Sequence, residues 1–108
     1  MKGLNKVCLI GHLGKDPEIR KLEGEKQVAH VSVATTDGYR DANGKLVTHT
    51  DWHALILWGK FATTAEKHMR KGSLVYVEGK LKSRSYNDKL GHKKYVTEVI
   101  VDHILLLK

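Results

Sequence analysis

Apolar and polar residues alternate with a spacing of two along most of this chain, and that period breaks only once. The alternating runs are Asn5 to Ile10, Gln27 to Thr36, Val47 to Trp58, Leu74 to Tyr86 and Lys94 to Leu105. Each reads as a strand. Gly11-His12-Leu13-Gly14-Lys15-Asp16-Pro17 reads as a turn region, because glycine tolerates positive φ and Pro17 forces Asp16 into an extended shape. Asp37 to Lys45 reads as a polar loop around the turn pair Asn43-Gly44, and Asn87 to His92 as a hairpin tip. The exception is Lys60 to Lys71, where Phe61, Ala65 and Met69 recur every four residues and share one helical face. Thr63 and Glu66 have capping-box spacing, and Gly72 is the expected helix stop.

Five strands with one helix between the third and fourth is the chain order of an OB-fold, an all-β, partly open Greek-key barrel. The 108 residues suit a single such domain, spanning 1–108. Gly79, isolated in the fourth strand, marks an expected bulge or bend. The same element order also permits an open-sheet α+β domain.

Charge narrows the function. Lys and Arg number 19 against 12 Asp and Glu, a net charge of +7. A small domain so basic suits a polyanion, either nucleic acid or an anionic membrane surface. A merely solubilising surface gives the same balance. No run approaches the roughly 18 apolar residues of a membrane span. The single Cys8 lies in the apolar run Val7-Cys8-Leu9-Ile10, where a buried, inert thiol in a reducing cytoplasm is expected.

Strand parity then sorts the side chains. In the third strand Trp52, Ala54, Ile56 and Trp58 share one face, opposite the core-forming His53, Leu55 and Leu57. The two indoles are six residues apart, roughly 20 Å along an ideal strand. In the fourth strand Tyr76, Glu78, Lys80, Lys82, Arg84 and Tyr86 share a face. Tyr39-Arg40, in the expected loop, repeats the pairing of aromatic with cation. Exposed rings beside cations suit single-stranded nucleic acid, with bases stacking on the rings and phosphates meeting Lys and Arg. Each tryptophan could instead fill a core or a subunit interface, and the cationic row could simply guard a strand edge.

Several motifs together carry a family resemblance: Asn5-Lys6-Val7, Gly11-His12-Leu13-Gly14-Lys15-Asp16-Pro17, Thr50-Asp51-Trp52-His53, Leu57-Trp58-Gly59-Lys60, Arg70-Lys71-Gly72-Ser73 and Val75-Tyr76-Val77-Glu78-Gly79. In this order and spacing the chain resembles the DNA-binding domain of bacterial single-stranded DNA-binding proteins over nearly its whole length. The resemblance implies sequence-independent binding and protection of single-stranded DNA in replication, recombination and repair, without catalysis. It implies stacking by Trp52, Trp58, Tyr86 and Tyr39, and phosphate contacts from Lys6, Lys60, Arg70, Lys71, Lys82 and Arg84. His53 and Tyr76 match positions implicated in assembly, with a homotetramer and a cytoplasmic, nucleoid-associated location. His12 and Ala54 depart from residues common in the family, Asn and a basic residue respectively. The sequence ends at Lys108 without the flexible, acidic-tipped tail through which family members recruit repair and replication enzymes, so such recruitment is not expected.

Other chemistry fits poorly. Gly11 to Lys15 lacks the Gly-Lys-Ser/Thr ending of a phosphate-binding P-loop. Asp37 to Thr48 has Ala42 and Thr48 where a calcium loop needs Gly and Glu. His49 and His53 would lie roughly 13 Å apart on a strand, so no metal or other cofactor is expected. The competing readings are a related OB module, such as a primosomal replication protein or an RNA binder, and, from another class, an OB-fold nuclease or a purely structural oligomer.

Overall fold

Six strands and one α-helix make up the computed structural model, which describes residues 2–108. In chain order they are β1 (Val7–Leu13), β2 (Glu18–Lys21), β3 (Gln27–Arg40), β4 (Leu46–Trp58), α1 (Lys60–His68), β5 (Leu74–Asn87) and β6 (Lys93–Leu106), with a 3-10 turn at Glu23–Glu25. The sheet order is β1-β5-β6-β4-β3-β2, and β1 also pairs with β3 through His12↔Ala34 and Leu13↔Val33. That second pairing closes β1, β3, β4, β6 and β5 into the expected five-stranded barrel. β4 and β6 run parallel at Leu55↔Val99 and Ile56↔Ile100, while the other pairs are antiparallel.

The core is built by the inward parity. Leu13, Val31, Val33, Leu55, Leu57, Val75, Val77, Val99 and Val101 fill the barrel. α1 packs on β3, β4 and β6 through buried Ala62 and Ala65, with Met69 just beyond it and Phe61 half-buried. The four-residue spacing therefore marks the buried face. Gln27 Nε2 donates to Thr63 Oγ1 at 2.6 Å and ties the helix to β3.

Several local expectations are corrected. The first strand does not stop at Ile10; it continues through Gly11, whose Cβ position would overlap the Ala34 carbonyl. Glycine there permits close strand approach and does not end the strand. β2 went unread, because only Ile19 of its four residues is half-buried and the edge strand shows no alternation to detect. The capping box is absent: Gly59 caps α1, and Thr63, inside the helix, donates its hydroxyl to the Gly59 carbonyl at 3.3 Å. The helix ends at His68, so Gly72 lies beyond it, donating its N–H to the Leu13 carbonyl at 2.9 Å. Cys8 is exposed, since β1 turns its odd-numbered residues inward.

The expected Asp37–Lys45 loop is partly strand, since Asp37 to Arg40 belong to β3. β3 and β4 stay paired out to Arg40↔Leu46 as an arm. β5 and β6 form a second arm, paired out to Asn87↔Lys93. The same turn closes both. Asp41 Oδ1 accepts the N–H groups of Asn43 and Lys45, each at 2.9 Å, and Gly44 adopts φ 78°. Asp88 Oδ1 accepts those of Leu90 and His92 at 2.9 and 2.8 Å, and Gly91 adopts φ 83°. Only glycine enters that left-handed region without strain.

Candidate nucleic-acid interface

The outward parity of the barrel is where the aromatic and basic residues emerge. Register sets Val28 beside Trp58, His30 beside Ile56, Ser32 beside Ala54 and Ala34 beside Trp52, so all of these share one outer face. Ile56 pairs with Ile100 of β6, and β6 carries the same face across to Lys80 and Lys82 of β5. The result is an open groove of about 420 Å³ lined by Arg20, Val28, His30, Trp58, Lys82, Arg84 and Glu98, among others. Small residues keep the middle of the face shallow: Ser32 and Ala54 line a second depression next to Lys15 and Glu18.

Both tryptophans are open to solvent, Trp52 at 62% and Trp58 at 49% of full exposure. Neither fills the core. Trp52 lies over Gly14, where any Cβ would collide with the six-membered ring of the indole. Tyr86 is equally open at 49%, and the Arg84 guanidinium sits 5.9 Å from its ring centroid. Trp58, Lys82 and Arg84 are thus brought together in the groove, and Tyr86 continues their row along β5.

Other candidates lie elsewhere. Tyr39 is part of β3 and not of a loop; it pairs with Val47, which puts it on the opposite face of the β3–β4 arm from Trp52. Lys60 lies 5.3 Å from the Phe61 ring centroid at the start of α1. Arg70 donates to the carbonyls of Glu66 and Met69, at 2.9 and 2.6 Å, and so closes the end of the helix. The N–H of Lys71 donates to Asp16 at 2.8 Å, two residues beyond the glycine under Trp52. Lys6 is ion-paired to Glu78 at 3.3 Å.

His53 and Tyr76 are not on one face. His53 continues the inward row of Leu55 and Leu57 and shares a 2.8 Å hydrogen bond with Thr35 Oγ1. Tyr76 points outward, between Ile10 and Leu105 on the neighbouring strands, with His103 edge-on at 6.3 Å. Its hydroxyl donates to Glu78, which also accepts from Lys6. The hydrogen bond from Tyr76, then that from Lys6, holds the Glu78 carboxyl below its ordinary range. The bond to Glu78 in turn pushes the phenol up. A depressed carboxyl stabilises the fold above its unfolded value, near 4.5, and this contribution vanishes as pH falls through the folded value. Tyr76→Phe should therefore be less stable than the parent at pH 6–7 in urea unfolding, and the gap should close in acid.

Parity counting of the last strand would have found two further surface groups. Tyr95 is 73% exposed on the reverse of the β5–β6 arm, with Lys93 at 5.7 Å from its ring. Arg20 was missed together with β2. Among the described residues, no cluster of His, Cys, Asp and Glu could hold a metal ion, and no helix is long and apolar enough to cross a membrane.

Known proteins share this arrangement. The chain is 44% identical over 107 residues to Single-stranded DNA-binding protein 1 of Chlorobaculum tepidum, covering 98% of this chain and 66% of that protein. The chain therefore spans just under two thirds of that relative. The structure is similar to a Plasmodium falciparum SSB in complex with ssDNA, with TM-score 0.90 and 35% identity, covering 100% of this chain and 98% of that one. It is also similar to a deletion mutant of the single-stranded DNA binding protein from Thermus aquaticus, with TM-score 0.83 and 31% identity over 98% of this chain and 51% of that one. The sequence profile of the Single-strand binding protein family matches residues 4–107. With the barrel, the outward rings and this match in agreement, the chain belongs to the Single-strand binding protein family.

Proposed function

We propose that this protein binds single-stranded DNA without sequence preference and shields it during replication, recombination and repair. The observation that carries the reading is the pair of solvent-facing indoles on the outer sheet face, one of them in a groove with Lys82 and Arg20. Bases of an unpaired strand stack on Trp58, Trp52 and Tyr86, and each stacked base contributes about 1–3 kcal/mol. A duplex hides those ring faces. Lys82, Arg20, Lys60 and Lys71 meet phosphates. Lys6 and Arg70, whose donors are engaged by Glu78 and by helix carbonyls, flank the path. Tyr39, on the opposite face of the β3–β4 arm from Trp52, offers a ring to a strand that wraps round the arm.

Titration with oligo-dT, followed by tryptophan emission, tests this. Emission should fall with single-stranded DNA and far less with duplex; equal quenching by both overturns the proposal. Neutralising about four phosphates per subunit gives a log–log salt slope near −3, or on the order of 60-fold weaker binding between about 50 and 200 mM salt. A preference for RNA in competition would instead favour the related OB modules.

We further propose a working form of several subunits and a cytoplasmic, nucleoid-associated location. Exposed Ile10 and Leu105 flank half-buried Tyr76 in a strip beside the part of β1 that β3 leaves unpaired, and we read this strip as subunit contact in a homotetramer. His53 contributes from the inward row.

A further inference from the structure

A carboxylate is out of place in a groove meant for an anion, yet Glu98 lines this one. It is the one charged or polar residue classed as buried among the described residues, at 7% exposure. Across the strands it stands directly opposite Lys82, but it binds Arg84, one position further along that row. Arg84 Nε donates to Oε1 at 2.9 Å and Nη2 donates to Oε2 at 3.3 Å. The side-on fork of the guanidinium, which would otherwise grip a phosphate, is thereby occupied. Its charge is balanced by a partner that cannot move away into solvent. The end-on N–H groups of Arg84 remain, but with its charge balanced they attract phosphate weakly, whereas its flat surface lies 5.9 Å from the Tyr86 ring and is more than half exposed.

Resting on the single-strand reading above, we infer that Glu98 is a positioning residue that makes Arg84 a base-stacking surface in line with Tyr86, and not a phosphate ligand. A planar guanidinium stacks on bases as aromatic rings do. The Glu98–Arg84 pair gives backbone phosphates no net charge to meet, so this stretch of groove rewards unstacked bases alone. It therefore adds to discrimination against duplex, whose phosphates are accessible and whose base faces are not. Lys82, in the same groove and without such a partner among the described residues, keeps the phosphate role.

Salt dependence separates the two roles. Arg84→Ala made together with Glu98→Gln, so that no lone anion is left in the groove, should weaken oligo-dT binding by about fivefold or more through lost stacking, with the log–log salt slope unchanged. Lys82→Ala should flatten that slope by about 0.7, a change of about 2.5-fold between roughly 50 and 200 mM salt. Glu98→Gln frees the Arg84 charge: its slope should steepen by about 0.7, and its affinity for duplex should rise relative to oligo-dT. A slope flattened by the Arg84→Ala/Glu98→Gln double variant as much as by Lys82→Ala overturns the inference, as does a Glu98→Gln protein with the parental slope and duplex ratio. Should Glu98→Gln alone fail to fold, the slope of the double variant, which leaves neither charge unpaired, decides. A parent protein with no preference for single strands would sink the underlying reading instead, and is seen before any variant is made.

Discussion

Replacing Trp52 and Trp58 together by alanine is expected to weaken oligo-dT binding by at least about 30-fold while the barrel stays folded. Each ring contributes about 1–3 kcal/mol of stacking, and residues roughly 20 Å apart with no shared partner act additively, so the pair is worth about 2–6 kcal/mol. Both side chains project from the sheet and leave no hole in the core, which is formed by the alternate residues Leu55 and Leu57. Circular dichroism should retain the parental β spectrum, and the singly substituted proteins should each lose about half of the binding free energy lost by the double variant. A double variant with near-parental affinity would show that the indoles do not receive bases. Since the double variant lacks both indoles, its affinity must be read by anisotropy of labelled DNA.

The largest stability effect belongs to a residue with no side chain. Gly79→Val should destabilise the fold by about 3 kcal/mol or more, lowering the melting temperature by about 12–24 °C. At Gly79 β5 presses against β6 so closely that an added Cβ would overlap the Ile100 carbonyl and approach Val99 Cγ1 at 2.9 Å. Backbone must move to admit it, and that backbone carries the β5–β6 ladder. The register also steps here, from Glu78↔His103 to Gly79↔Val101, leaving Asp102 as the extra residue of a bulge. A calorimetric scan checks the prediction; a melting temperature within a few degrees of the parent would mean that the strands separate freely at this point.

How much the sequence revealed follows the burial of each segment. Alternation was plain where one sheet face is dry and the other wet, as in Trp52 to Trp58, and parity there put both indoles on the outer face, where they stand. It faded where both faces are wet. Asp37, Gly38, Tyr39 and Arg40 belong to a paired ribbon, yet a mostly polar run reads as loop. β2 escaped for the same reason. Gly79 was marked as a bend, and the irregularity is there, although the extra residue lies on the partner strand. Thr63 misled because its hydroxyl serves a helix interior and a cross-link to Gln27, a role that local spacing cannot distinguish from capping. The Glu98–Arg84 contact was not legible at all. Fourteen residues separate the pair, and only the register of β5 against β6 decides which cation the carboxylate meets.

The two arms share one more property with a consequence for how such a protein changes over time. Each tip satisfies its own backbone through a single aspartate and a single glycine, without help from the barrel. A ribbon closed in this way can grow or shrink by whole pairs of residues, and every remaining side chain keeps its orientation. The length of polymer that one subunit covers can therefore drift independently of the packing that keeps the subunit folded.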